Sequence, residues 1–138
     1  MPGGPSNSVV MHAQANDSTI SLLLPAEPES VRAARQVLRR FAEEVGADAV
    51  AVALAVSEAV TNAVQHAYAD GEGEICVRAL TNDVLHVSVL DYGQGFQPKA
   101  TPGRPHLGLP LIGHFADSVD VATAHGGVAI EMRFARGS

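Results

Sequence analysis

Glu58, Asn62 and His66 stand four residues apart in "SEAVTNAVQHAY" (57–68), among Ala and Val. On an α-helix that spacing places the three side chains on one stripe. A packing stripe would be apolar there, and a solvated stripe would carry more charge. A carboxylate one turn from a carboxamide suits phosphoryl transfer. The carboxylate accepts a proton from an attacking hydroxyl, and the amide oxygen is a neutral, hard ligand for Mg²⁺. Two further stretches fit the same chemistry. "DYGQG" (91–95) ends an alternating apolar run, so the Asp91 carboxylate can accept a hydrogen bond from the exocyclic amine of adenine. Guanine offers a carbonyl at that place. "RPHLGLPLI" (104–112) carries a glycine-relieved turn into a helix, whose free N–H groups and dipole suit phosphate oxygens. The Gly- and Pro-rich stretch between them has the composition of a lid over a triphosphate. Singly, each stretch has an ordinary reading: a solvated helical Glu, a plain turn, a helix start. In this order they describe a nucleotide site.

Other chemistries fail on spacing. There is no G-x-x-x-x-G-K-[ST] loop, and "GQGFQP" is not the dinucleotide fingerprint G-x-G-x-x-G. An EF-hand starting at Asp91 would want Glu where Pro102 stands. No Cys/His pairing has zinc spacing, and no G-x-S-x-G elbow occurs. The 138 residues fit one domain, with 46% hydrophobic and 17% charged residues, as a globular chain requires. Trp is absent and aromatics are few, so the core must be built from Val, Leu, Ile and Ala. A formal charge of −6 argues against direct nucleic-acid binding. The lone Cys76, in an alternating apolar run, is expected as a buried thiol. No apolar run reaches the length of about 18 residues that spans a bilayer, and "MPGGPSNS" lacks the features of a signal peptide. A cytoplasmic protein without membrane contact is expected.

The elements that must position these residues follow from periodicity. Residues 1–17 are rich in Gly, Pro, Ser and Asn and are expected as a flexible tail, with the domain over 18–138. "STISLLLP" (18–25) is a strand. "EPESVRAARQVLRRFAEEVG" (27–46) is an amphipathic helix with Val31, Ala34, Val37, Leu38 and Phe41 on its apolar face and Gly46 as its stop. "DAVAVALAVSEAVTNAVQHAY" (48–68) alternates at first like a strand, but its length and Ala content decide for a helix capped by Asp48. "EICVRAL" (74–80) and "VLHVSVLD" (84–91) form a hairpin, "LGLPLIGHFA" (107–116) a short helix, and "DSVDVATAH" with "GVAIEMRFA" a terminal hairpin. Two successive helices and two hairpins predict an α+β fold, a two-layer sandwich. Its sheet would be mixed and mostly antiparallel, with the helices on one face.

The pattern resembles the GHKL ATPase superfamily (gyrase, Hsp90, histidine kinase, MutL), and within it the bacterial anti-sigma-factor serine/threonine kinases. "AVSEAVTNAVQHAY" is similar to their N box, "LDYGQGF" to their G1 box, and "GLPLIGHFADSVDV" to their G2 box, over roughly residues 18–134. The resemblance implies the Bergerat fold and an ATP site using Mg²⁺. It implies Glu58 as general base, Asn62 on the metal, and Asp91 on adenine with Gly93 and Gly95 making room. Gly108 and Leu109 would lie at the phosphates, with Arg104 reaching the γ-phosphate from the lid. The implied substrate is a STAS-domain anti-anti-sigma protein. The implied second partner is a sigma factor held by a homodimer, in partner switching that controls transcription under stress.

Arg32, Arg35 and Arg39 share one face of the first helix, which in that family helps form the partner surface; Arg32 and Arg35 are the candidate contacts. Three features depart from the family pattern. His106 stands at the first Gly of the usual Gly-x-Gly turn, the lid is short, and Val128 and Ala129 stand where a threonine often assists at adenine. Two functions from different classes therefore remain: a protein kinase that is also an anti-sigma factor, or a partner-binding module of the same fold that binds nucleotide weakly or not at all.

Overall fold

The computed structural model describes residues 8–13, 18–67, 73–91, 109–124 and 127–137. Alternation of apolar and polar residues writes six strands: β1 (Ser8–Ala13), β2 (Ser18–Pro25), β3 (Glu74–Thr81), β4 (Val84–Asp91), β5 (Ser118–Ala124) and β6 (Gly127–Ala135). The helices are α1 (Pro28–Val45), α2 (Ala49–Asn62) and α3 (Leu109–Phe115), and a π-helical turn over Ala63–Ala67 continues α2. One sheet runs in the order β1-β2-β3-β4-β6-β5, and every described pairing is antiparallel. The expected α+β class holds, with no parallel pair among the described strands.

Register decides which residues face the helices. Leu22 pairs with Val77, Val77 with Val89, and Val89 with Ile130, so a row of branched residues crosses the sheet on one face. The rows beside it carry Ile20 and Leu24 from β2, Leu85 and Val87 from β4, and Met132 and Phe134 from β6, all buried. Onto that face α1 lays Ala34, Leu38 and Phe41, while α2 lays Val52, Val56 and Val60. Val31 and Val37, expected on the apolar face of α1, are half-buried at its margin. Ile112 anchors α3 in the same core. The opposite face carries Arg78, Asp120, Glu131 and Arg133, all exposed. Cys76 is a buried free thiol, as its surroundings predict.

The segment Ser8–Ala13 falls inside the stretch whose composition predicts a tail, and there the chain forms a strand paired with β2 from Ser8↔Leu23 to Ala13↔Ser18. Averaging over residues 1–17 dilutes "SVVMHA", whose Val-Val-Met centre favours a strand, with the Gly/Pro-rich start.

Two local devices set the angle between α1 and α2. Asp48 caps α2, its carboxylate accepting the N–H of Ala51 at 3.1 Å. Gly46, at φ +80°, ends α1 in the left-handed conformation, which lets the Ala47 N–H reach the Ala42 carbonyl at 2.9 Å. The turn is then clamped from the far end of the chain. Arg136 Nε donates to the Val45 carbonyl at 2.8 Å, and the Gly137 N–H donates to the Gly46 carbonyl. Gly46→Ala is therefore expected to lower unfolding free energy by about 1–2 kcal/mol, the cost of a Cβ in left-handed backbone. Urea denaturation checks this, and an unchanged midpoint would show that the turn relaxes freely.

Candidate nucleotide site

β4 supplies the first wall. Leu85, Val87 and Val89 point to the helices, and alternation puts Asp91 next in the same row. A carboxylate thus occupies a position that the core pattern would fill with an aliphatic side chain. It is buried, with only 7% of its surface exposed. Asp91 lies opposite Ile75 on β3 and opposite Val128 on β6, and the Val128 N–H donates to Asp91 Oδ1 at 3.3 Å. That bond fixes the carboxylate's orientation at the end of the strand, and burial in apolar surroundings raises the value of any further donor that reaches it.

α2 supplies the second wall, since both it and the π-turn that follows rest on β4. Glu58 is half-buried and Asn62 is 93% buried, one turn further along. The Asn62 Nδ2 has no hydrogen-bond partner among the described residues, although it is fully enclosed. Leaving a buried amide donor unpaired costs about 1–3 kcal/mol, so an enclosed side chain of this kind signals a group held for something else. Half a turn about the last side-chain bond puts the amide oxygen where the nitrogen now stands, as a metal ligand requires. The helix changes pitch immediately afterwards. Ala63–Ala67 form the π-turn, whose i→i+5 spacing breaks the four-residue register beyond Asn62. The backbone of His66 lies in that turn. Ser57 is spent locally, its hydroxyl donating to the Ala53 carbonyl at 2.8 Å.

Of the other expected site residues, Leu109 is the first residue of α3, and its backbone alone is described. Gly93, Gly95, Arg104, His106 and Gly108 lie outside the described residues. Arg32 and Arg35 are exposed on α1 and line, with Pro28, Glu29 and Val31, an open groove of about 530 Å³. Sequence reasoning missed three features here. These are the π-turn, the backbone bond from Val128 to Asp91, and the exposure of Val50 and Leu54 on α2. Only the last had a signal, since Val50 and Leu54 precede Glu58 at the same four-residue interval.

Asp91 ends β4 on the helix-facing side, and α2, which rests on β4, carries Glu58 and the unpaired amide of Asn62. A family model described as the histidine kinase-like ATPase domain matches residues 24–134. The chain belongs to that family. The resemblance to GHKL ATPases drawn from the N, G1 and G2 stretches is thereby borne out. Among solved structures the chain is similar to that of the RsbU and RsbW domains of Rv1364c from Mycobacterium tuberculosis. The identity is 26% and the TM-score 0.64, covering 86% of this chain and 33% of that one. The chain thus spans about one third of the length of that solved chain. No curated protein matches it. Among the described residues no helix is long and apolar enough to cross a membrane.

Membership of this family implies nucleotide binding, and the enclosed, unpaired amide fits a site completed by a ligand. Replacing Asn62 with Leu removes the unpaired donor and keeps the forked side chain with the same number of heavy atoms. Asn62→Leu is expected to leave the ligand-free protein as stable as the parent or about 1 kcal/mol more so. It should also abolish the stabilisation that saturating Mg-ADP gives the parent, about 2.7 kcal/mol at a hundred times Kd. Thermal unfolding with and without Mg-ADP reads both. A large loss of stability without ligand would mean that the amide serves the fold.

Proposed function

We propose that the protein is an ATP-dependent protein serine/threonine kinase that doubles as an anti-sigma factor. Its substrate would be a STAS-domain anti-anti-sigma protein, and a homodimer would hold a sigma factor. The observation that carries this reading is the stripe on α2: a half-buried carboxylate one turn from a buried amide with an unpaired nitrogen. A second support is the 26% identity to a chain with an RsbW domain.

In this reading Asp91 accepts the exocyclic amine of adenine, held for that task by the Val128 N–H. Asn62 would hold Mg²⁺ through its amide oxygen. When bound, the metal neutralises charge on the β- and γ-phosphates. Glu58 takes the proton of the substrate hydroxyl as the hydroxyl oxygen bonds to the γ-phosphorus and the bond from that phosphorus to the departing ADP oxygen breaks. Glu58 is half-buried and so in part open to solvent, whereas Asn62 is enclosed. Arg104, Gly93, Gly95, Gly108 and Leu109 would complete the pocket around the base and phosphates. Arg32 and Arg35 would meet the protein partners.

One observation favours the second reading, a partner-binding module without catalysis. Val128 stands directly across from Asp91 and is buried. Its side chain offers no hydroxyl to adenine, so the base would be held by fewer donors and acceptors than in relatives with threonine there. A weak nucleotide site on a functional partner surface would follow.

The two readings separate with labelled ATP, the full-length chain, and the STAS-fold proteins of the same genome. Phosphoryl transfer to one of them is expected. Glu58→Gln should keep Mg-ADP affinity within about threefold while transfer falls about 10²–10⁴-fold, the usual contribution of a general base. Transfer that survives in Glu58→Gln would remove Glu58 from the chemistry. Absence of transfer and of nucleotide heat in the parent would favour the module.

A further inference from the structure

The helices pack on one face of the sheet, so alternation sends every second strand residue to the other, open face. An antiparallel sheet with one solvated face carries polar residues there. One row across this face is apolar instead. The register sets Leu23 beside Cys76, Cys76 beside Leu90, and Leu90 beside Ala129. Cys76 and Ala129 are buried yet lie outside the core cluster, while Leu23 and Leu90 are half-buried. Further along the same face Leu80 is 38% exposed. The core under the helices gives no reason for these side chains.

The neighbouring row carries charge, with one sign at each end. It runs from Arg78 on β3 through Ser88 on β4 to Glu131 on β6 and Asp120 on β5. Arg78 and Glu131 stand one strand to either side of β4, about 10 Å apart by two strand spacings. Both are exposed, and neither has an ion pair among the described residues. A groove of about 470 Å³ opens on the half of the face that holds Arg78, with Ser21, Leu80, His86 and Ser88 in its lining. Symmetry decides what can settle there. A second copy turned about a two-fold axis along the row would set Arg78 on Arg78 and Glu131 on Glu131. An axis along β4 exchanges β3 with β6 instead. Each Arg78 then meets Glu131 of the other copy, Leu90 meets Leu90, and the strands stay aligned as stacked sheets require.

We propose that a second copy of this chain covers the open face, about a two-fold axis along β4, with Arg78 of each subunit paired to Glu131 of the other. The proposal rests on the homodimer of the kinase reading, not on its chemistry, and names the surface that makes it. The apolar row supplies buried area, and the two crossed ion pairs fix the register of one sheet on the other. The arrangement also has a consequence for the site. The helices of both subunits face outwards, so Glu58, Arg32 and Arg35 stay open to protein partners on each side of the dimer.

Analytical ultracentrifugation of the full-length chain over a range of concentrations tests this, using Arg78→Glu and Glu131→Arg. Both sites are exposed, so each variant should keep the parental far-UV circular dichroism. Each reversal sets like charges together twice in its own homodimer and should raise the dimer dissociation constant about a hundredfold. Mixing the two variants restores both pairs, so the heterodimer should form within about tenfold of the parental constant. The double variant, which carries both reversals in one chain, should recover its homodimer likewise. A dimer that survives either single reversal would overturn this interface and leave the kinase reading untouched. Dimers lost in the single variants but not restored by mixing would also overturn it, because the two charges would then not face each other. A parent that sediments as a monomer throughout would overturn it and would remove the homodimer from the kinase reading, while the phosphoryl-transfer assay decides the chemistry separately.

Discussion

The site depends on one electrostatic constraint: a carboxylate held on the helix-facing side of a central strand. Leu85, Val87 and Val89 bring β4 through the core, and Asp91 takes the next place in their row. Burying an acidic side chain beside Ile75 and Val128 carries a desolvation cost. The Val128 N–H offsets part of that cost and fixes the carboxylate's direction. Every other feature of the site is arranged around this charge. The all-antiparallel sheet sets β4 between β3 and β6, and the core row lifts α2 over it. The helix pitch changes just after Asn62, where a tight α-turn would have continued the stripe.

Asn62 shows the same trade in neutral form. An enclosed amide with an unpaired nitrogen weakens the ligand-free fold. Binding sites often hold such strain because the surrounding packing over-determines it. Here the packing comes from small residues, since Ala55, Ala59 and Ala63 are buried along the helix and let it sit close to its neighbours. The two polar groups therefore give a nucleotide-binding domain its logic, a stable apolar sandwich with a deliberate defect at one end.

Much of the fold was legible because its determinants are local and periodic. Alternation marked β2, β3, β4 and the last hairpin to within a residue or two, while Gly46 and Asp48 marked the turn between α1 and α2. The candidate site was legible in part. Glu58, Asn62 and Asp91 stood out because each breaks an otherwise apolar pattern. What stayed hidden depends on tertiary context. The strand over Ser8–Ala13 is defined by its pairing with β2, the π-turn is a change of pitch without a residue signature, and the Val128 bond is made by backbone that any residue supplies. The exposure of Leu54 and the burial of Val56 look alike in sequence, because only the helix's position on the sheet separates them.

The central claim is that the Asp91 carboxylate reads an adenine amine, and isothermal titration of the full-length chain with Mg-ADP and then Mg-GDP tests it most directly. Saturable one-site heat with the adenine nucleotide is expected, and binding at least about a hundredfold weaker with guanine, whose carbonyl would face a buried carboxylate unpaired. Equal affinity for the two nucleotides would contradict it.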